Sequence, residues 1–399
     1  MKDISIIDSY RDEIIRAMQN MIEIKSISPQ SGGAGESERA NFLEGILKNM
    51  GLHTTRYEYI DNNNIKRPSI ITKIGNCKKT LWVIAHIDTV SEGDINMWKY
   101  DPFKGTIVDD KIYGRGTNDD GQDVIAAIFA LKAIIDTKVE LNYNYGLALV
   151  ADEELGSAYG IRKLLNENIF KAEDIILVPD GGSASGDEIE IAEKSLLWLK
   201  ITATGKQVHA STPELGSNAL RAMIKFLNLV DVRLHEKYNL TDENFSPNKS
   251  TFEMTKHEKN QDSINMIPGT EIFYIDCRIL PIYKVDDILN DVIEIANKSS
   301  DNTQTIKVET FVREDSAGQT SPDSEIVKLT SNAIKNVIGI NPKAIGIGGG
   351  TFASFFRRQG IDAVVWSKKP DIPHIIDEYA IINDILTDAK VFYFMASKQ

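Results

Sequence analysis

The chain has 399 residues, 42% of them hydrophobic, and a formal net charge of −13. That balance argues against nucleic acid or an anionic membrane surface as a partner, since both are held mainly by Lys and Arg neutralising phosphate. No apolar stretch approaches the roughly 20 residues of a membrane span, and Met1–Asp8 lacks the apolar core of a signal peptide. Cys77 and Cys277 are too few for a disulfide framework. The composition is that of a globular cytoplasmic protein long enough for two domains.

In chain order, an amphipathic helix pattern opens the sequence. The apolar run Leu81–Ala85 then ends in His86-Ile87-Asp88. Gly114-Arg115-Gly116-Thr117-Asn118-Asp119-Asp120-Gly121 is a glycine-punctuated turn leading into a helical pattern, Val124–Ile135. The runs Leu147–Ala151 and Ile175–Pro179 end in Asp152-Glu153-Glu154 and Asp180. Short runs rich in Val, Ile and Leu read as buried strands of a parallel sheet. Near Ser195 the rhythm changes: strand Leu196–Thr204, helix Asn218–Glu236, polar loop, strands Thr251–Thr255 and Glu271–Leu280, helix Val285–Asn297, strand Thr305–Phe311. This is the split βαβ order of a small α+β sandwich. Alternation resumes at Ser324 and reaches the strand-like Ala363–Trp366 and then His374. The reading is therefore an α/β, doubly wound domain with a mostly parallel sheet (residues 1–194 and 314–399), interrupted by an inserted α+β sandwich domain (195–313).

Ligands of open α/β sheets bind outside the carboxyl ends of the strands, where these three runs place imidazole and carboxylate, the donors that hold Zn²⁺ and related ions. Two His, two or three Asp and a Glu suffice for two ions sharing one carboxylate, and they leave Glu153 over. Each residue also has an ordinary reading. His53, His235 and His257 stand alone and receive no role; paired glutamates are commonly solvated surface charge, but Glu153-Glu154 ends a buried run. Asp180 alone would be only a turn residue. Gly346-Ile347-Gly348-Gly349-Gly350-Thr351 has the wrong spacing for a dinucleotide loop and lacks its strand-turn-helix context.

The series His86-x-Asp88, Gly114-Arg115-Gly116-x-x-Asp119, Glu153-Glu154, Asp180 and His374 with Glu378 resembles, over nearly the whole chain, the cocatalytic dizinc peptidase and deacylase family. That family includes acetylornithine deacetylase, succinyl-diaminopimelate desuccinylase, aminoacylase, carboxypeptidase G and bacterial dipeptidases. The resemblance implies that Asp119 bridges two metal ions, with His86 and Asp180 completing one site and Glu154 and His374 the other. The ions would be zinc, with cobalt and manganese as substitutes. Asp88 would orient the His86 ring, and Glu153 would be the general base. The inserted domain would be a lid and a homodimer surface. From the lid, His209 would donate to the tetrahedral oxyanion, in its own or the partner's active site. Asn265 and Arg278 would contact a substrate carboxylate, as would backbone N–H groups of Gly349, Gly350 and Thr351. Two departures stand out. Relatives usually carry Lys and Gly shortly after the bridging Asp, where this chain has Asp120-Gly121-Gln122, leaving Asp120 as the rival bridge. Phe352 follows Gly-Gly-Thr where many relatives have Asp, which is closer to the dipeptidase branch.

The expected activity is metal-dependent hydrolysis of a dipeptide or an N-acyl amino acid carrying a free carboxylate. A biosynthetic succinyl-diaminopimelate desuccinylase or acetylornithine deacetylase is the neighbouring alternative. Desuccinylation needs extra cations for a second carboxylate, and Lys206, Lys194 and Arg115 do not by themselves decide it. A non-catalytic metal-binding assembly protein on the same fold would show a damaged site, whereas every donor position and Glu153 holds a competent residue.

Overall fold

The computed structural model describes residues 4–398. The chain divides into two compact units: one runs to Ile191 and includes Gln319–Ile345 and the segment from Thr351, and the other comprises Ala192–Gly318 and Gly346–Gly350.

The first unit is built on an eight-stranded sheet in the order Thr54–Ile60, Lys66–Ile74, Asn144–Val150, Thr80–His86, Ile175–Val178, Ala363–Val365, Glu188–Glu193, Lys343–Ile347, the last two strands ending at the unit boundary. The four central strands run parallel, and the antiparallel pairings lie to either side. The central strands are continuously apolar because both faces are covered. Leu81, Val83, Leu147, Leu149 and Leu177 pack into one core with the helices Gln122–Thr137 and Ile382–Ala396. Trp82, Ile84, Ala148, Val150, Ile176 and Val178 fill the other, with Phe352 and Phe356. Each fully buried side chain of this size contributes about 1.5–3 kcal/mol. The three runs that end in acids or His are neighbours in the sheet, so their carboxyl ends meet at one rim. Ser324 starts the helix Glu325–Val337 by accepting from the Val327 N–H.

The second unit is an antiparallel sheet in the order Thr251–His257, Thr270–Ile279, Ser195–Thr204, Thr305–Glu314. Leu197, Leu199, Ile201 and Ala203 face a core shared with the helices Ala219–Lys237 and Val285–Ser299, while Trp198, Lys200 and Thr202 between them are half-buried, the alternation of a one-sided sheet. Asn218 caps the first helix, accepting from the Arg221 N–H at 3.0 Å.

The units divide after Ile191 and Gly318, where the sequence reading had 194 and 313, and one further segment falls differently. Gly346–Gly350 groups with the second unit rather than with residues 314–399 as a block, because Gly346 N–H donates to Asn244 O, Lys194 N–H to Ile347 O and Arg278 Nη1 to Gly348 O. Glycine is required at 346, where an added Cβ would lie 2.3 Å from the Phe245 ring. No helix among the described residues is long and apolar enough to cross a membrane.

Candidate metal and active site

Two loops supply donors to the rim without ending a central strand, and a small sheet joins them. The strand Lys111–Tyr113 pairs antiparallel with Tyr379–Ile381, which sets the turn Gly114–Asp119 beside the loop His374–Glu378. The buried Glu378 carboxylate then stitches the two. Its Oε2 accepts from Arg115 Nη1 (2.6 Å) and Gly116 N–H (3.1 Å), and its Oε1 from Asn118 N–H (2.8 Å) and Asp119 N–H (3.1 Å). Arg115 also donates to Ser91 O and His374 O.

Asp119 is thereby held between two imidazoles. Its Oδ1 lies 2.8 Å from His86 Nε2 and its Oδ2 lies 3.1 Å from His374 Nε2. Asp180 Oδ1 is 3.9 Å from His86 Nε2, and Glu154 Oε2 is 3.0 Å from His374 Nε2. Among the described residues, His86, Asp119 and Asp180 form one group of potential metal donors and Asp119, Glu154 and His374 a second, with the donor atoms of each within 4.8 Å of one another. Asp119 belongs to both groups and Asp120 to neither: Asp120 is buried and its Oδ2 accepts from the His86 N–H at 3.0 Å. The two groups differ in access, the His86 side chain being 0% exposed and the His374 side chain 49%.

Asp88 serves the neighbouring strand end as well as the ring. His86 Nδ1 lies 3.1 Å from the Asp88 carbonyl oxygen and 3.5 Å from Asp88 Oδ1. The Asp88 carboxylate accepts from the Glu153 and Glu154 N–H groups and from Ser28 Oγ, fixing the Glu153-Glu154 backbone beside His86. Asp152 and His374 both have positive φ, 67° and 63°, a region uncommon for non-glycine residues but more open to Asp and His than to most.

The electrostatics are those of crowded acids. Burial, reinforced by neighbouring carboxylates, pushes Asp180 up to about 7. Burial together with Asp180, Glu154 and Asp88 raises Glu153 well above the usual carboxyl range. Hydrogen bonds donated to the Asp119 and Glu154 carboxylates raise His374 to about 10. Such a concentration of buried acid beside two imidazoles asks for positive charge, and its N and O donors are those divalent zinc-type ions take. The residues present fit a two-ion centre.

Residues 82–398 match the description "Peptidase family M20/M25/M40". The chain belongs to this peptidase family. An uncharacterized metallohydrolase of Methanocaldococcus jannaschii is 38% identical, covering 96% of this chain and 98% of its own. A succinyl-diaminopimelate desuccinylase of Orientia tsutsugamushi is 27% identical, with coverage of 95% and 94%. The fold of an M20 metallo-carboxypeptidase from Sulfolobus solfataricus superposes with a TM-score of 0.74 at 22% identity, covering 96% of this chain and 98% of that one. This M20 chain is a metallohydrolase.

The remaining M20 candidates belong to the second unit, except Thr351, which opens the last segment of the first. His209 is exposed, its Nδ1 2.6 Å from Ser211 Oγ. It sits opposite Met266 in a two-residue strand pair, and Ala210 N–H donates to Asn265 O, so His209 and Asn265 share one corner of that unit. Arg278 is engaged within its own unit: it pairs with both Asp276 oxygens (2.7 and 3.1 Å) as well as Gly348 O. Gly349 and Gly350 are exposed and Thr351 is half-buried; the helix after them, Ala353–Arg358, is a six-residue turn and a half. Sequence reasoning missed a buried support of the Glu153 strand end. Arg67 pairs with the buried Glu36 and lies 2.9 Å from Asp152 Oδ1. An Arg beside a Pro inside a strand gives no outward sign of such burial.

Proposed function

We propose that this metallohydrolase is a two-metal amidohydrolase that cleaves a dipeptide or an N-acyl amino acid bearing a free carboxylate. The observation that carries this reading is the single carboxylate of Asp119 presenting one oxygen to His86 and the other to His374, with Glu153 at the adjoining strand end. In this reading Asp119 would serve both ions, with His86 and Asp180 holding one and Glu154 and His374 the other. Bound there, such ions, taken as zinc with cobalt and manganese as substitutes, would supply Lewis acidity toward the scissile carbonyl and lower the pKa of water. Glu153, whose carboxyl is raised above its usual range by burial and by the neighbouring acids, would take the proton of the attacking water and deliver it to the leaving nitrogen. The amide becomes an acid and an amine. Asp88 and Glu378 keep the strand ends and the Asp119 turn in place. His209 would stabilise the oxyanion, and Asn265, Arg278 and the Gly349–Thr351 backbone would meet the substrate carboxylate. The second unit would act as lid and homodimer surface.

Desuccinylation is a second reading, favoured by the name of the Orientia relative. It requires cations for the extra carboxylate, yet Arg115 is committed to Glu378 and Lys194 Nζ donates to Pro247 O and Lys249 O. Among the described residues, exposed Lys206 alone of the three shows no such commitment on its side chain. The deciding experiment is hydrolysis by metal-loaded protein of free dipeptides, N-acetyl amino acids and N-succinyl-diaminopimelate, with a chelated control. Preference for dipeptides supports the first reading, and exclusive cleavage of the succinyl compound replaces it with the second. Two bound metals per chain with no cleavage of any of the three would count against both.

A further inference from the structure

Under the Asp119 turn lies a set of buried charges that the proposed chemistry does not use. Asp120, Asp123 and Asp388 are all buried, and so is Lys369 among them. Lys369 Nζ lies 2.8 Å from Asp123 Oδ2, donates to the Asn118 carbonyl at 3.2 Å, and is 3.6 Å from Asp120 Oδ1. That Asp120 oxygen has no hydrogen-bond partner among the described residues, so the ammonium is the compensating charge it faces. Ser367 Oγ lies within hydrogen-bonding distance of both Asp123 (2.7 Å) and Asp388 (2.9 Å). Gln122 Nε2 and Lys368 N–H donate to Asp388. The loop after the strand Ala363–Val365 is thereby tied to the start of the helix Gln122–Thr137, directly beneath Asn118 and Asp119.

We propose that Lys369 is a positioning residue for the metal centre: its ammonium fastens the Asn118 carbonyl and the Asp120 and Asp123 carboxylates into one anchor, which aims Asp119 between His86 and His374. This rests on the two-metal reading above. Glu378 grips the same turn through its N–H groups, and Lys369 grips it through a carbonyl and acids, so the two constrain different atoms. The anchor role carries a sign. A positive charge near a cation site repels the cation, so a purely electrostatic Lys369 would weaken metal binding and its removal would tighten it. Losing an anchor loosens the donors, and removal of such outer supports typically weakens metal affinity by about 10–100-fold.

The test is titration of metal-free wild type, Lys369→Met and Lys369→Arg with Zn²⁺ alone against a competing chelator, alongside thermal unfolding of the same metal-free proteins. Wild type is expected to bind two ions. Lys369→Met should bind at least one of them about 10–100-fold more weakly, with Lys369→Arg closer to wild type. Affinity equal to or tighter than wild type in Lys369→Met overturns the proposal, and a lowered melting temperature without weaker binding marks the residue as structural only. Should Lys369→Met fail to fold, Asp123→Asn, which removes the ammonium's anionic tether, takes its place, and unchanged zinc affinity in that variant overturns the anchor. Wild type that binds no zinc removes the two-metal reading and this inference together; wild type that binds two while the variants match it removes this inference alone.

Discussion

The candidate metal-donor cluster of the first unit and the candidate substrate contacts of the second are held by different kinds of partner. His86 is fixed through Asp88 and Asp120, Asp119 through Glu378, and Glu154 through the Val90 N–H. By contrast His209 and Asn265 are exposed, and Arg278 is spent on Asp276 and Gly348. The contrast separates two tasks. Bond cleavage needs groups kept within fractions of an ångström of their working geometry, whereas recognition can be completed as substrate arrives.

The strongest way to break this division is to strip the metals. Chelation should abolish hydrolysis across the substrate panel, and Zn²⁺, Co²⁺ or Mn²⁺ should restore it; activity that survives complete chelation, checked by elemental analysis, removes the metal cluster from the mechanism. Next in size, Glu153→Ala should lower kcat by about 10²–10⁴-fold, the usual worth of a general base, while two ions stay bound. His209→Ala sharpens the comparison from the other side. It should cost about 10²–10³-fold in kcat with zinc affinity unchanged, and a shift in zinc affinity would erase the line between the two regions. Glu378→Gln should act through the metal: its carboxylate faces four donors, so the new amide must turn an N–H toward two of them, and metal affinity should fall by about 10–100-fold.

The smallest expected effect lies in the second unit, at a residue that belongs to neither donor group. Although burial opposes it, hydrogen bonds from Lys237 and Tyr238 hold the Asp291 carboxyl below its usual range. A depressed folded-state value contributes stability that is present above the unfolded carboxyl's pKa of about 3.9 and lost as pH falls through the lower folded value. Asp291→Asn should therefore cost about 1 kcal/mol at neutral pH and less in acid, as read by chemical denaturation, with kcat unaltered.

Much of the first unit could be read in advance because its central strands are buried on both faces and so appear as unbroken apolar runs, three of which stop at or just before a residue of the candidate site. The choice between Asp119 and Asp120 was not readable, since adjacent acids in a glycine-rich turn differ only in where the backbone points them. Lys66–Ile74 escaped for another reason: Lys66, Arg67 and Pro68 look like a loop, and only the buried pairing of Arg67 with Glu36 explains their place in a sheet. Lys369 has no local signal at all, because its partners are some 250 residues away in the chain. The grouping of Gly346–Gly350 with the second unit likewise comes from three tertiary hydrogen bonds.

The insertion of one unit into the other also has a cost during synthesis. In the finished sheet Ile176 is paired with Ala363, a partner made about 190 residues later. At roughly 5–20 residues per second, the outer edge of the strand Ile175–Val178 waits about 10–40 s for its neighbour. Throughout that interval a run of four apolar residues offers unpaired backbone groups to any other nascent strand, so this chain is expected to need chaperone cover on the ribosome and to refold slowly after dilution from denaturant.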